Sequence, residues 1–298
     1  MRLRDKMVSK FLWWMTERHD IYLRRKKGQP WPWTDDEIMR TYSFTNVYRE
    51  LDRVTQELHA RIDPLCDEPF ADRLFHAILF RAFNWPATYD RLMAGDALSA
   101  RDPRVFEHKI ARRTLKEAAK TEKVFTGAYI ISNGGSTKSK IDYMCDALKV
   151  IHAARREIWT AVEHDGTMRG ATMTLAQYPS MGKFTSYEVA CDLRYQKGML
   201  DRAPDRMTWA NLGPGARRGI QRMVAGGENV RLVGKEYDEE WFVDKMRVLL
   251  DCANKELPGR MPRLEMREIE MSLCEFDKYL RVERGEGRPR SRYRAPTT

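Results

Sequence analysis

Helical periodicity runs through most of this 298-residue chain and constrains its fold more than any other feature. Apolar residues recur every three or four positions, as they do on the buried face of an α-helix. One short run of β-branched and aromatic residues, VFTGAYII at positions 124–131, interrupts the pattern, and a single such run is too little for a sheet. The sequence therefore predicts a mostly α fold with at most a minor β element.

Composition predicts how the chain is organised. Residues 1–280 are predicted to form one helical domain, and two helical lobes around a cleft are the alternative arrangement. Residues 281–298 are rich in Arg, Gly and Pro, so they are predicted to form a basic, flexible tail. No apolar stretch reaches the length of a membrane span, and the basic start lacks the features of a signal peptide. We therefore expect a cytoplasmic protein with no membrane partner and no obligate protein partner.

The charge distribution favours a polyanionic partner. Lys and Arg number 53 against 43 Asp and Glu, a net charge of +10. The excess is concentrated at the two ends: residues 1–27 hold nine basic side chains against three acidic ones, and residues 281–298 hold six against two. Phosphates attract such clusters because binding releases counterions, although ordinary surface charge would give the same totals. The charge distribution therefore predicts a polyanion, such as a nucleic acid, as the partner.

The cysteines and histidines give no sign of a metal or cofactor. The five cysteines are far apart, and their odd number and the lack of a CxxC pair argue against a disulfide framework or a zinc site. The six histidines show no metal-ligand spacing. We therefore expect no metal and no cofactor.

A tight turn in the second half of the chain is its most informative motif. A predicted helix ends at Gln177, the turn has the sequence YPSMG at 178–182, and a second helix begins at Lys183. Such a hairpin directs backbone N–H groups and the positive end of a helix dipole at a phosphate. We expect Ser180, Gly182 and Lys183 to bind DNA, with glycine at 182 because the turn leaves no room for a side chain.

This turn resembles the hairpin of the helix-hairpin-helix DNA glycosylases, which has the pattern Leu-Pro-Gly-x-Gly. Ser180 stands in place of the first glycine, and Phe184 stands where lyase-type members carry a Schiff-base lysine. The resemblance implies a glycosylase-like helical fold and a monofunctional enzyme with water as the nucleophile. It also implies a catalytic carboxylate beyond the hairpin, which Asp205 matches and for which Asp201 is the nearest substitute.

A lone carboxylate suits base excision. Breaking an N-glycosidic bond builds positive charge on the sugar, and a nearby anion stabilises that charge. The alternative interpretation makes Asp205 a helix N-cap. A third acid, Asp192 in the middle of the second helix, is predicted to be buried and paired with an arginine.

Several blocks, in the same order along the chain, resemble a second and closer family. They are RR at 24–25, PWPWTDD at 30–36, YSFTNVYRELDRVT at 42–55, FRAFN at 80–84, FTGAY at 125–129, GPGARRG at 213–219 and LCEFDKY at 273–279. Together they resemble the α-glutamyl/putrescinyl-thymine pyrophosphorylases and the helical domain of hydroxymethyluracil DNA kinases. The resemblance implies a protein that acts on hydroxymethyl-pyrimidine derivatives in DNA, so the predicted partner is double-stranded DNA with modified bases.

The sequence leaves three functions open. The chain has no GxxxxGK[ST] nucleotide-binding motif, so kinase activity of the fused kind is not expected. The leading prediction is excision of a modified pyrimidine, such as a glucosylated hydroxymethyl base, in defence against phages. The alternatives are a transferase that acts on a pyrophosphorylated hydroxymethyl-pyrimidine and a non-catalytic module that binds modified bases.

The remaining candidate residues would hold the DNA or an extruded base. Such a base needs an apolar wall and polar groups at its edge, whereas core packing and a solvated face are the alternative interpretations. The predicted phosphate contacts are Arg24, Arg25, Arg217 and Arg218. The predicted base pocket contains Trp33, Phe44, Asn46, Arg49, Asn84 and Phe184.

Overall fold

The computed structural model describes residues 1–95, 97–98, 105–127, 131, 133–289 and 291–294. Within these residues the secondary structure is helical, with two isolated β-bridges and no strand. The α-helices, in chain order, are α1 (Asp5–Lys26), α2 (Glu37–Thr41), α3 (Arg53–Ile62), α4 (Phe70–Phe83), α5 (Pro86–Ala94), α6 (His108–Ala118), α7 (Lys140–Asp165), α8 (Met168–Leu175), α9 (Lys183–Leu193), α10 (Pro214–Val224), α11 (Glu239–Glu256) and α12 (Met266–Glu283). The predicted mostly α fold is confirmed.

The helices divide between two compact units. The first unit consists of Met1–Asp52 and Arg206–Thr298, and it contains α1, α2 and α10 to α12. The second unit consists of Arg53–Asp205 and contains α3 to α9. The domain boundaries drawn from composition stay a prediction.

Close contact between α10 and α12 organises the first unit. Two glycines of α10 permit it, because a Cβ at Gly215 would lie 2.2 Å from Cys274 Sγ and one at Gly219 would lie 2.5 Å from the Leu273 carbonyl oxygen. Both distances are far shorter than van der Waals contact. The glycines of the GPGARRG block therefore let two helices approach more closely than any side chain would allow.

In the second unit, α4 occupies the centre. Thirteen of its fourteen residues are buried, as expected for a helix surrounded by others, and it packs against α3, α5, α7 and α9. Arg81 of α4 donates two hydrogen bonds to the Asp192 carboxylate of α9, each 2.6 Å long. Asp192 is buried, so its predicted pairing with an arginine is confirmed.

Two other predicted segments are described only in part. The run at 124–131 forms no strand in residues 124–127 and 131, while residues 128–130, including Tyr129, lie outside the described residues. The segment 281–298 begins within α12. Further along it, Ser291 O accepts the Ser43 N–H at 3.1 Å and Tyr293 N–H donates to Thr41 O at 3.0 Å. Residues 290 and 295–298 lie outside the described residues.

None of the described helices combines the length and the apolar character that crossing a membrane requires.

Candidate functional site

The predicted hairpin is present in the second unit. Its first helix, α8, ends at Leu175 and its second, α9, begins at Lys183, so residues 176–182 form the connection. Two backbone hydrogen bonds of 3.1 Å close the turn, from Tyr178 N–H to Leu175 O and from Met181 N–H to Tyr178 O. The two helices pack against each other, which fixes the direction in which α9 starts.

The left-handed residue of this turn is a serine. Ser180 has φ +67°, a region that favours glycine, and it occupies the position of the first glycine in the glycosylase pattern. Gly182 has φ −68° and ψ 162°, which is ordinary extended backbone, and a Cβ there would meet nothing within 4 Å. The prediction that the turn requires glycine at position 182 for lack of space is therefore wrong.

The start of α9 has the character of an anion-binding helix end. Gly182 is the N-cap and brings no side-chain cap, and the first turn contains no acidic residue. Lys183 and Phe184 are exposed there, the phenyl ring by 45%. The N-terminus of an α-helix attracts anions through its N–H groups and its dipole, and a lysine strengthens the attraction.

A cavity of about 480 Å³ opens beside the hairpin, within the second unit. Its walls come from α4, α7, the hairpin turn and the first turn of α9. The lining residues are Ile78, Arg81, Ala82, Ile131, Gly134, Tyr143, Met144, Leu148, Ile151, Tyr178, Pro179, Ser180, Met181, Gly182, Phe184 and Thr185. The lining residues that the structure describes are mainly apolar and include no carboxylate, and the volume of the cavity lies in the range of small-molecule sites.

Arg81 joins this cavity to the core of the second unit. Besides its ion pair with Asp192, its Nη1 donates to Asn84 Oδ1 at 2.8 Å. Asn84 caps the C-terminus of α4 in the left-handed conformation, at φ 46°, and is 4% exposed. The structure thus places Asn84, a predicted base-pocket residue, behind the cavity, where it orients Arg81.

The two candidate catalytic carboxylates hold the backbone. Asp205 accepts the N–H groups of Met168 at 2.8 Å and Arg169 at 3.0 Å, so it caps the start of α8. Asp201 accepts the Gly198 N–H at 3.1 Å. Neither carboxylate lines the cavity. Capping was the alternative interpretation of Asp205, but the helix that it caps precedes it in the chain.

Three candidates near the end of α1 form a cluster in the first unit. Arg24 pairs with Glu17 at 2.9 Å and donates to the Trp33 carbonyl oxygen. The Arg25 guanidinium lies 5.8 Å from the centre of the Trp33 ring. Trp33 itself is 7% exposed, and its Nε1 donates to Gln29 O at 2.7 Å. These contacts hold the segment after α1 against that helix.

The candidates between α2 and α3 also make contacts within the first unit. Phe44 is buried against Trp14. The Asn46 amide accepts from Arg18 at 2.7 Å and donates to Leu51 O at 2.8 Å. Burial raises the pKa of Asp52, and the positive charge of Arg49 offsets part of that increase.

The arginines of the GPGARRG block are engaged as well. Arg217 lies 4.3 Å from the centre of the Phe242 ring, and Arg218 donates to Asp277 at 2.9 Å. At the start of the same helix, the Glu270 carboxylate accepts the Gly213 N–H at 3.3 Å. Burial raises the pKa of Glu270 to about 7.

The structure therefore brings together the hairpin candidates Ser180, Gly182, Lys183 and Phe184. The sequence argument missed most of the cavity walls, notably Tyr143, Met144 and Leu148 of α7. A signal was available for Arg81, because it lies in the FRAFN block. Among the residues that the structure describes, no group of three or more His, Cys, Asp or Glu side chains could hold a metal.

Comparison with known proteins identifies matches that cover nearly the whole of this chain. Residues 5–288 match the family described as 5-hmdU DNA kinase, helical domain. A 5-hmdU DNA kinase of Bacillus phage SP10 is 30% identical over 314 aligned positions, which cover 93% of this chain and 46% of the relative. The chain thus spans about half the length of this relative. No solved structure matches this chain.

These matches overturn the predicted reaction. Both names describe a kinase, which transfers a phosphoryl group, so the prediction of a monofunctional DNA glycosylase, a hydrolase, is wrong. The transferase alternative agrees better with the matches. The chain lacks the GxxxxGK[ST] motif, and the matching family is the helical domain, so the match does not by itself assign the phosphoryl transfer to this part of the relative. The chain belongs to the family of the 5-hmdU DNA kinase helical domain.

Proposed function

We propose that this chain binds DNA that carries 5-hydroxymethyluracil and holds the modified base for phosphorylation of its hydroxymethyl oxygen. The observation that carries the proposal is the match of residues 5–288 to the helical domain of a kinase named for this nucleoside. The chain covers 46% of the phage relative, so the proposal concerns the part of the reaction that the helical region performs.

The hairpin supports a role in holding DNA. Lys183 and the first-turn N–H groups of α9 lie together at the helix start, where the helix dipole and a lysine both attract anions, and the first turn itself contains no acidic residue. We assign a backbone phosphate of the DNA to this helix end, in the manner of a helix-hairpin-helix. Phosphate contacts of this kind fix the register of the strand and carry no sequence information themselves.

Selectivity for the modified base has to come from a single hydroxyl group, because thymine and 5-hydroxymethyluracil differ only there. In the transfer, the hydroxymethyl oxygen attacks the terminal phosphorus of a nucleoside triphosphate. The bond to the leaving diphosphate breaks, and the hydroxyl proton passes to a base. A site built to hydrogen-bond that hydroxyl discriminates strongly against thymine, because its polar groups would otherwise lose a partner.

Binding to three matched duplexes tests the proposal. They differ at one position, which holds thymine, 5-hydroxymethyluracil or its phosphorylated form, and affinity is measured by fluorescence anisotropy. We expect the chain to bind the hydroxymethyluracil duplex at least about fivefold more tightly than the thymine duplex, the equivalent of one hydrogen bond. Equal affinity for the two would contradict the proposal.

A charge variant tests the hairpin separately. Lys183→Gln should weaken binding to all three duplexes alike and lower the slope of log affinity against log salt by about 1. Lys149→Gln, an exposed lysine of α7 outside the cavity lining, is the matched control and should leave the slope unchanged. An unchanged slope in Lys183→Gln would remove the hairpin from the DNA interface.

A further inference from the structure

We infer that the cavity beside the hairpin receives the pyrimidine itself, extruded from the base stack of the DNA. The inference rests on the proposed function and adds to it the place and the state of the bound base. It is not required by that function, since a substituent on C5 of a pyrimidine already faces the major groove of an intact duplex. A concave site of this kind, by contrast, admits a base only after it has left the helix.

The position of the cavity supports this inference. Ser180, Gly182, Phe184 and Thr185 line it, while Lys183 lies among them at the start of α9. One turn therefore provides both the cavity rim and the helix start that attracts anions. A strand whose phosphate is held at α9 would have its neighbouring nucleotide at the mouth of the cavity.

The lining suits the faces and the edge of a pyrimidine. Met144, Leu148, Ile151 and Met181 provide apolar surface for the flat faces of the ring. Tyr143 and Tyr178 provide hydroxyl groups, which can both donate and accept hydrogen bonds. A flipped base is held in this way elsewhere, between apolar walls with polar groups at its edge.

The position of Tyr143 is set by a nearby turn. A Cβ at Gly134 would lie 2.6 Å from the Tyr143 hydroxyl oxygen, so the absence of a side chain there leaves room for the phenol. Gly134 also has φ +63°, a conformation that favours glycine. The turn and the tyrosine thus form one preformed side of the cavity.

The charges of the lining agree with the same ligand. Among the lining residues that the structure describes, Arg81 is the one charged side chain, and its pairing with Asp192 leaves this wall close to neutral. A neutral base can therefore enter without meeting a buried charge that repels it. A lining without net charge does not attract a free anion such as inorganic phosphate.

Phe184 extends the site to its rim. It is 45% exposed although it belongs to the cavity lining, and a phenyl ring in water at the mouth of a cavity offers a stacking surface. The exposed ring follows Lys183 directly, so phosphate binding and stacking would occur at adjacent residues.

Two substitutions that reduce the cavity test the inference. Ala82→Leu adds carbon atoms inside it, and Thr185→Phe narrows its mouth from the half-buried first turn of α9, where folding is less at risk. Val150→Phe on α7, at a position 48% exposed and outside the lining, is the matched control. Each variant is assayed on duplexes with thymine, 5-hydroxymethyluracil or an abasic site at one position.

We expect both cavity variants to lose the preference for hydroxymethyluracil over thymine and to bind the abasic duplex as tightly as the unmodified chain does. 2-Aminopurine placed opposite the modified base should brighten when the unmodified chain or Val150→Phe binds, and it should stay dim with either cavity variant. A drop of about tenfold in the affinity for hydroxymethyluracil DNA would correspond to about 1.4 kcal/mol of lost binding free energy.

The two proposals fail in different ways. If the preference for hydroxymethyluracil persists in Ala82→Leu and Thr185→Phe, the cavity does not hold the base, and the proposed function stands. If the unmodified chain shows no preference, the proposed function fails. A 2-aminopurine signal that disappears with the cavity variants would still support extrusion in that case, and a signal that persists with them would overturn it.

Discussion

Two helices of this protein, one in each compact unit, begin after the same kind of residue but have different surroundings. α9 follows Gly182, at φ −68° and ψ 162°, and α10 follows Gly213, at φ −72° and ψ 159°. A proline lies close to each glycine in the sequence, and each helix carries at least one basic residue in its first half. From sequence, either turn is a reasonable phosphate-binding loop.

The residue that meets each helix end decides the difference. At α10, the Glu270 carboxylate accepts the Gly213 N–H, and two glycines are pressed against α12. A carboxyl group of the protein thus occupies the place that a phosphate would take. At α9, a Cβ on the N-cap glycine would meet open space, and a cavity whose described lining contains no carboxylate adjoins the turn. A glycine turn therefore indicates a sharp change of direction, and the elements packed on it determine whether it can bind a ligand.

The largest expected effect concerns the buried ion pair between Arg81 and Asp192, behind the cavity at the start of α9. Asp192→Asn removes the carboxylate that accepts both short hydrogen bonds from the buried Arg81 guanidinium and leaves Glu188, 4.0 Å away, as an acidic partner, so we expect the free energy of unfolding to fall by roughly 3 kcal/mol. Urea denaturation measures the change. Asp67→Asn, at an exposed position of the same unit, is the control and should alter stability by less than about 0.5 kcal/mol. A loss below about 1 kcal/mol for Asp192→Asn would mean that water reaches the pair.

The stability of the protein should depend on pH through Glu270, which contacts the start of α10. Burial raises the pKa of Glu270 in the folded state to about 7, above its ordinary value of 4.5. The folded chain then binds the proton more tightly than the unfolded chain does. Stability from this group is therefore full below about pH 4.5 and is lost as the pH rises to about 7, by roughly 3 kcal/mol at most.

Glu270→Gln should remove the part of the pH dependence that Glu270 contributes, because the amide carries no charge to bury while its carbonyl oxygen can still accept the Gly213 N–H. Burial also raises the pKa of Glu268 to about 7, so the part that Glu268 contributes should remain. Urea denaturation at pH 5 and pH 8 measures the difference between the variant and the unmodified chain. Glu228→Gln, at an exposed position, should keep the original pH profile. If the pH profile of Glu270→Gln matches that of the unmodified chain, water reaches the Glu270 carboxylate and the start of α10 is open to solvent.

Glycines of the two regions should also respond differently when a methyl group is added. Gly219→Ala in α10 would place a Cβ 2.5 Å from the Leu273 carbonyl oxygen, which belongs to a helix backbone and cannot rotate away. We expect a loss of about 1–3 kcal/mol in thermal or urea denaturation, despite the better helix propensity of alanine. Gly182→Ala meets open space and should change stability by less than about 0.5 kcal/mol. Similar losses for both variants would abolish the contrast.

The smallest effect concerns the serine in the hairpin turn. Ser180→Gly relieves a left-handed conformation, at φ +67°, and should raise stability by roughly 0.5–1 kcal/mol after the greater flexibility of unfolded glycine is subtracted. Differential scanning calorimetry can detect this as a small rise in Tm. A fall in Tm would mean that the Ser180 hydroxyl, 3.5 Å from Met144 Sδ, contributes more than the strain costs.

Local sequence signals predicted the local features of this protein. The YPSMG turn between two periodic segments predicted a helical hairpin, and the position of Asp192 within the second helix predicted its pairing with an arginine. Both depend on spacing along a few turns of chain. The cavity could not be predicted in this way, because Ile78, Leu148 and Ser180 come from three helices or turns that only the fold brings together.

The reaction was the other failure, and its cause is also physical. An aspartate at the right distance past a hairpin is equally suited to stabilise a sugar cation or to cap a helix, and Asp205 caps α8. Likewise, Trp33 and Arg24 lie among polar residues in the sequence, yet they contact each other in the first unit. Composition does not distinguish an aromatic residue that stacks on a base from one that holds a neighbouring segment.

The hydrogen bonds of Asp205 have a consequence for any attempt to isolate the hairpin. Residue 205 follows α9 in the chain, yet its carboxylate holds the amides of Met168 and Arg169 at the start of α8. Slow hydrogen–deuterium exchange at those two amides therefore reports on the integrity of the segment around residue 205. A peptide that spans only the two helices would exchange them quickly and fray at that end, so the smallest fragment able to retain the hairpin extends through Asp205.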